Sequence, residues 1–332
     1  MNKTIQKPTL LSGAKPSGEI HIGNYLGAIR QWVQLQETHE TYVPIVDLHA
    51  LTEPQDPEQL RTQTLSTAAD YIALGINPNS SAVFLQSHVP EHTQLMWILN
   101  TITSMGDLER MVVYKEKIEE GKPAYAGLFT YPVLMASDIL LYKPTTVPVG
   151  EDQRQHLELA RELARRFNKR FGQTFPLPKE FNPQVGAKIL SLQDPHKKMS
   201  KSHGSLSYIA VSDSPEKISQ KIKSAVTDSG AAIKFDSITK PALSNLLTIY
   251  HLFSGTEIDA IEKEFSVKTY KEFKEALAEL IIEKLEPVQE KRKELLENKE
   301  KLLGILKEGA AKASAKASKT VKEVYDKVGL TK

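Results

Sequence analysis

The stretch Leu10-Leu11-Ser12-Gly13-Ala14-Lys15-Pro16-Ser17-Gly18-Glu19-Ile20-His21-Ile22-Gly23-Asn24 decides how the rest of the chain is read. The apolar run Thr9 to Leu11 predicts a first strand. Gly13, Pro16 and Gly18 break it, and Leu26, Ile29, Val33 and Leu35 then recur at roughly helical spacing. A strand, a glycine-punctuated turn and a helix start bring free backbone N–H groups and the positive end of a helix dipole to one point, which suits an anion. The same letters also describe an ordinary strand-to-helix connection carrying one exposed histidine.

The alternation continues downstream. Thr41 to Leu48 predicts a second buried strand, with Asp47 and His49 at its carboxyl end. A helix runs from Asp56-Pro57 to Leu74-Gly75, a third strand from Ala82 to Gln86, and a helix from Pro90 to Ile102. Strands alternating with helices predict an α/β fold, a doubly wound parallel sheet of the Rossmann-like kind. Ligands of such sheets gather beyond the carboxyl ends of the strands, which makes His49 a site candidate beside a plain capping role.

Residues 106–123 interrupt the pattern as a charged insertion, read as an exposed helix and loop. In Gly127 to Tyr142, Pro132 suits a first helical turn, and Tyr131, Met135, Asp138 and Tyr142 share one helix face. An aspartate among Leu, Met and Ile is costly to bury unpaired. Either a Lys or Arg answers it, or a flat apolar ligand with one edge donor does. Thr146 to Val149 predicts a further strand, closed by Gly150-Glu151-Asp152-Gln153, whose acids suit ribose hydroxyls, a metal-bound phosphate or merely a first helical turn. The loop Asp194-Pro195-His196-Lys197-Lys198-Met199-Ser200-Lys201-Ser202-His203-Gly204 reads as a mobile cationic hook outside any regular element, able to neutralise a departing pyrophosphate.

A chain of 332 residues exceeds one compact core, so two domains are expected. We place a catalytic domain at 1–210 and an all-helical domain at 211–332, with helices near Pro215 to Val226, Pro241 to Phe253, Thr256 to Phe265 and Tyr270 to Leu285, then a long charged helix from Pro287. Its last part is free to pack back on the sheet. The absence of cysteine excludes disulfides, thiolate metal sites and a cysteine nucleophile, and fits a cytoplasmic protein. No apolar run is long enough for a membrane span. Residues 291–332 hold twelve Lys or Arg against six Asp or Glu, whereas the whole chain is only +2. Lys312, Lys316 and Lys319 form one stripe there, suited to phosphate contact or to solvation.

The string Lys198-Met199-Ser200-Lys201-Ser202, together with His21-Ile22-Gly23-Asn24 in a first strand-to-helix turn, resembles the paired signatures of class I aminoacyl-tRNA synthetases. Tyr131-Pro132 through Tyr142, Val147-Pro148-Val149-Gly150-Glu151-Asp152-Gln153, Gly106-Asp107-Leu108-Glu109-Arg110-Met111 and Lys223-Ser224-Ala225-Val226-Thr227-Asp228 are similar to strings of the bacterial tryptophanyl branch. The resemblance implies joining of L-tryptophan to ATP and transfer of the amino acid to the 2′-hydroxyl of tRNA(Trp). It implies Mg²⁺ entering with ATP and held by no dedicated protein metal site, a helical domain that reads the anticodon, and a homodimer.

By the same resemblance, Lys15, Pro16, Ser17, Gly23 and Asn24 cradle ATP with His21 near the phosphates. Gly150, Glu151, Asp152 and Ile189 hold the adenosine. Lys198 and Lys201, with Met199, Ser200 and Ser202 of the same loop, follow the pyrophosphate. Asp138 accepts the indole N–H, Tyr131, Met135, Val147 and Val149 wall the ring, and His49 and Gln153 place the amino acid. Three departures stand out: Lys15 where many relatives have glutamine, Asn24 in place of a second histidine, and His203-Gly204 where Asp-Pro is common. A tyrosyl-type synthetase and a non-catalytic RNA- or amino-acid-binding paralogue are the alternatives.

Overall fold

The computed structural model of the protein describes residues 7–331 other than 17, 122, 124, 145, 149, 151–152, 182–187, 229 and 231. Three parallel strands form one block: β1 (Thr9–Leu11), β2 (Glu40–Ile45) and β3 (Ser81–Leu85), with Leu10 opposite Thr41 and Thr41 opposite Ser81. A second block pairs β4 (Thr146–Pro148) with β5 (Lys179–Phe181), also parallel, and β4 lies beside β1. The order across the molecule is therefore 3-2-1-4-5. The winding reverses between β1 and β4, and it is outside the carboxyl ends at such a reversal that open α/β sheets bind ligands.

Strands β1 to β3 are buried on both faces, and their two-residue period divides the core. Val43, Ile45, Val83 and Leu85 point into one apolar cluster, together with Leu26, Ile29 and Trp32 of the first helical stretch and Ala68, Ala69 and Ile72 of the helix Pro57–Ala73. Leu11, Tyr42, Ala82 and Phe84 point into the other, with residues of the helices Glu91–Asn100, Ala126–Leu141 and Arg154–Phe171. The first cluster runs without a break into Leu246, Phe273, Leu277 and Ile281 of the C-terminal helices, so apolar packing is continuous across residue 210.

The last helix, Lys299–Val328, straddles the sheet at β3. Its Leu302 and Leu306 belong to the first cluster, and Ala313, Ala317 and Val324 to the second. Gly309 marks the crossing, because a Cβ there would sit 1.9 Å from the Val83 carbonyl oxygen. Overpacking of this kind costs about 1–3 kcal/mol or more, since neither a strand carbonyl nor a helix backbone yields easily. Gly309→Ala is accordingly expected to lower the urea midpoint clearly, whereas Gly304→Ala, whose Cβ meets nothing within 4 Å, leaves it unchanged or raises it. Equal midpoints for the two variants would refute the close approach.

Several boundaries differ from the sequence reading. β2 ends at Ile45, and Asp47–Ala50 forms one helical turn, so His49 points from a helix rather than a strand end. Pro132 lies inside Ala126–Leu141, not in its first turn, and Pro287 lies inside one continuous helix, Tyr270–Glu297. The loop around Lys201 is not free of regular structure: Lys201–His203 makes a 3₁₀ turn. The lysine stripe is also partly spent within the molecule. Lys312 Nζ donates to the Pro78 carbonyl at 2.8 Å, and Lys316 pairs with Glu40 at 2.7 Å. Among the described residues no helix is long and apolar enough to cross a membrane.

Candidate active site

His21 caps the first helix. Its Nδ1 accepts from the Asn24 N–H at 3.3 Å, while Asn24 Oδ1 accepts from the His21 N–H at 3.1 Å. Gly18 precedes this cap at φ +106°, a conformation that L side chains rarely adopt, and its vacant Cβ position lies 3.2 Å from Lys201 Nζ. The lysine loop thus folds directly onto the glycine turn. Met199 anchors it: its side chain is buried and its N–H donates to the Ile189 carbonyl at 2.9 Å. Ser207 Oγ reaches the Ser200 carbonyl at 2.7 Å. This tether accompanies the 3₁₀ turn, where the sequence predicted a loop outside any regular element.

Burial, then the positive fields of Lys201 and Lys198, push the His21 pKa down to about 4. Burial also lowers Lys201, against the opposing field of Glu19. Two lysine charges therefore act on the turn that His21 caps, a potential that favours polyanionic phosphate, while His21 itself stays neutral near pH 7. A histidine whose folded pKa lies below its unfolded value near 6.5 contributes a stability that is complete above pH 6.5 and lost as pH falls toward 4. The loss is expected to reach at most about 3 kcal/mol. Urea titrations between pH 7 and 4.5 check this: His21→Asn, which keeps a cap acceptor, should show a flatter pH response than the wild type. Parallel curves would contradict the assignment.

Asp138, 5% exposed on the helix Ala126–Leu141, receives three donors. His49 Nε2 reaches Oδ2 at 2.7 Å, and His92 Nδ1 and Gln86 Nε2 both reach Oδ1 at 2.7 Å. Among the described residues no Lys or Arg, the protein partner weighed from sequence, answers this acid; two histidines and an amide do. Burial alone would raise its pKa, but the hydrogen bonds from His49 and His92 outweigh it and hold the carboxyl well below its usual range. A carboxylate offers roughly four acceptor positions. Three are filled here, and the one left lies on Oδ2.

Tyr131 stands beside this carboxylate. Its ring meets His49 edge-on at 6.2 Å, its hydroxyl is 3.0 Å from His156 Nε2, and burial pushes its pKa up to about 12. Lys15 Nζ lies 5.6 Å from the same ring, and its pKa is lowered by burial against the field of Glu53. Lys15, Pro16, Ala50, Glu53 and Gln55 line an open cleft of about 250 Å³. Met135 is half-buried against the second core cluster and Val147 is buried within it. Gln153 precedes the helix Arg154–Phe171, with its N–H on the exposed Gly150 carbonyl at 2.9 Å. Ser17, Val149, Glu151 and Asp152 lie outside the described residues.

Sequence reasoning missed Gln86, His92 and Lys117. Gln86 follows β3 at its carboxyl end, a position whose topology is the signal that could have found it, whereas His92 carries no local signal. Lys117, on the helix Val112–Glu119 of the insertion, pairs with Glu53 at 2.8 Å and places its field on Lys15 and Tyr131. The insertion is therefore not merely solvated. Among the described residues no group of three or more acids and histidines is arranged to hold a metal ion.

The family model for tRNA synthetases class I (W and Y) matches residues 3–286. The tryptophan–tRNA ligase of Oceanobacillus iheyensis is 51% identical over 97% of this chain and 98% of its own length, and that of Bacillus subtilis 47% over 98% of each. The crystal structure of tryptophanyl-tRNA synthetase from Mycoplasma pneumoniae superposes with a TM-score of 0.88 at 36% identity, covering 98% of this chain and 99% of that one. That from Campylobacter jejuni, complexed with ADP and tryptophan, gives 0.86 at 39% identity, covering 97% and 100%. With a family model covering most of its length and relatives near half identical along nearly all of it, this chain belongs to the class I tRNA synthetases specific for tryptophan and tyrosine.

Proposed function

We infer that the protein is a tryptophan–tRNA ligase, which forms tryptophanyl-adenylate and pyrophosphate from L-tryptophan and ATP and then esterifies the 2′-hydroxyl of the terminal adenosine of tRNA(Trp). The observation that carries the reading at this site is Asp138: a buried, ionised carboxylate with one acceptor position left, in a chain whose first strand-to-helix turn carries His21 in the fields of Lys198 and Lys201. Attack of the tryptophan carboxylate on the α-phosphorus forms the new C–O–P link and expels pyrophosphate. Such a displacement needs positioning and charge neutralisation rather than a protein nucleophile.

In this reading Asp138 takes the indole N–H, with Tyr131, Met135, Val147 and Val149 around the ring and Gln153 at the amino-acid end, while His49, expected from sequence to place the amino acid, instead holds Asp138 Oδ2 beside the indole. Lys15, Pro16, Ser17, Gly23 and Asn24 cradle the phosphates, and Gly150, Glu151, Asp152 and Ile189 the adenosine. Mg²⁺ arrives with ATP, held by phosphate oxygens and water. The C-terminal helices read the anticodon in the cytoplasm. A homodimer interface fits the consecutive helices Glu91–Asn100, Met105–Glu109 and Val112–Glu119, which leave Trp97, Met105 and Val112 exposed, Trp97 by 71%.

The test is ATP–pyrophosphate exchange run with each of the twenty amino acids. Tryptophan alone is expected to drive exchange at low concentration. Faster exchange with tyrosine, or none with any amino acid, would overturn the proposal.

A further inference from the structure

His92 is fully buried, 0% exposed, at the start of the helix Glu91–Asn100, and belongs to none of the roles above. Both ring nitrogens are occupied. Nδ1 is 2.7 Å from Asp138 Oδ1, and Nε2 is 2.9 Å from the hydroxyl of the fully buried Tyr142. Its carbonyl accepts from Ser137 Oγ at 2.6 Å, tying the residue to the helix that carries Asp138. An ionised carboxylate can only accept, so Nδ1 carries the proton of that bond, and in the neutral imidazole Nε2 is then the acceptor for the Tyr142 O–H.

The geometry points to His92 as a positioning residue for substrate selection. It pins the Oδ1 side of Asp138, with Gln86 on the same oxygen, so that the remaining acceptor position stays on Oδ2 and faces one direction. An unpinned carboxylate can rotate and meet a phenol O–H or an indole N–H from many angles. A pinned one accepts a single donor at a single place, which is how a fixed second layer of hydrogen bonds sharpens a site. On the Oδ1 side Gln86 alone does not suffice, and His49 holds only Oδ2: the Gln86 Oε1 is buried with no hydrogen-bond partner among the described residues, so the amide is held from one end only. His92 is held from both. This inference rests on the reading of Asp138 as the indole acceptor.

The experiment compares tryptophan with β-(3-benzothienyl)alanine, which keeps the shape of tryptophan but has sulfur in place of the N–H. The readout is the ratio of kcat/KM for the two in ATP–pyrophosphate exchange. His92→Asn keeps an N–H near the position of Nδ1, whereas His92→Gln places its amide near Nε2, out of reach of Asp138. Wild type and His92→Asn should prefer tryptophan strongly, and His92→Gln should lose about tenfold or more of that preference through the tryptophan KM, the scale of one hydrogen bond to a charged group. Tyr142→Phe, which frees Nε2, should lose part of it. Urea midpoints accompany each variant, and a merely structural role would lower stability in both His92 variants without separating their ratios. Equal ratios in wild type, His92→Asn and His92→Gln overturn the role of His92. A wild type that does not distinguish the two substrates overturns the Asp138 reading instead.

Discussion

Asp138→Asn is expected to lower kcat/KM for tryptophan by about 10²–10³, mostly through KM. All three protein partners donate to this side chain: His49 on Oδ2, His92 and Gln86 on Oδ1. An asparagine has one acceptor oxygen and one NH₂. With the NH₂ toward the Oδ2 side, it faces the His49 N–H and the incoming indole N–H. Turned the other way, it faces His92 and Gln86. Either orientation sets donor against donor around a buried side chain. A hydrogen bond to a charged group contributes about 1.5–3 kcal/mol, and breaking one side of a buried charged network costs about 3–5 kcal/mol, so two to three powers of ten is the consistent range. Because hydrogen bonds hold the Asp138 pKa below its usual value, the stability it contributes is complete above the ordinary carboxylate pKa and lost only in strong acid. The deficit of the variant should therefore be flat from pH 6 to 8. Tryptophan-dependent pyrophosphate exchange at those pH values measures it; wild-type kinetics would remove Asp138 from the site.

How much of this was legible in advance depended on whether the signal was local. The strands β1 to β4 announced themselves as short apolar runs between turn residues, and two parallel faces followed from the alternation with helices. Strand β5, Lys179–Phe181, is three residues long with charges at two positions, and nothing in its letters separates it from a loop. Pro132 and Pro287 were read as helix starts because proline favours the first turn, yet tertiary packing carries both inside long helices. Asp138 was recognisable as an acid in an apolar segment that needed a partner. The identity of its partners was not, because His49, Gln86 and His92 lie 46 to 89 residues away and meet it only when three elements converge. The partners of the lysine stripe in the last helix were hidden for the same reason. Helical periodicity showed that Lys312 and Lys316 share a face, but not that this face lies against the Pro78 carbonyl and Glu40.

Lys201→Ala is expected to reduce kcat for adenylate formation by about 10²–10³ with the tryptophan KM nearly unchanged, the cost typical of removing one preorganised stabiliser of developing charge. The ammonium sits over the vacant Cβ position of Gly18, on the turn that His21 caps, and burial already lowers its pKa. It is therefore held in a partly desolvated place where a charge acts more strongly than in water. As the bond to the α-phosphorus breaks, negative charge accumulates on the departing pyrophosphate. A cation fixed on that side stabilises the transition state more than bound ATP, which shows in kcat rather than in substrate affinity. Lys198 acts on the same region, since its field, like that of Lys201, depresses the pKa of His21. Two cations serving one leaving group are not independent, so the Lys198→Ala/Lys201→Ala double variant should lose less than the product of the single losses. Single-turnover adenylate formation, followed by pyrophosphate release, separates the step from product dissociation. A Lys201→Ala enzyme with normal single-turnover rate and raised tryptophan KM would place this lysine in substrate binding and leave the charge on pyrophosphate to another group.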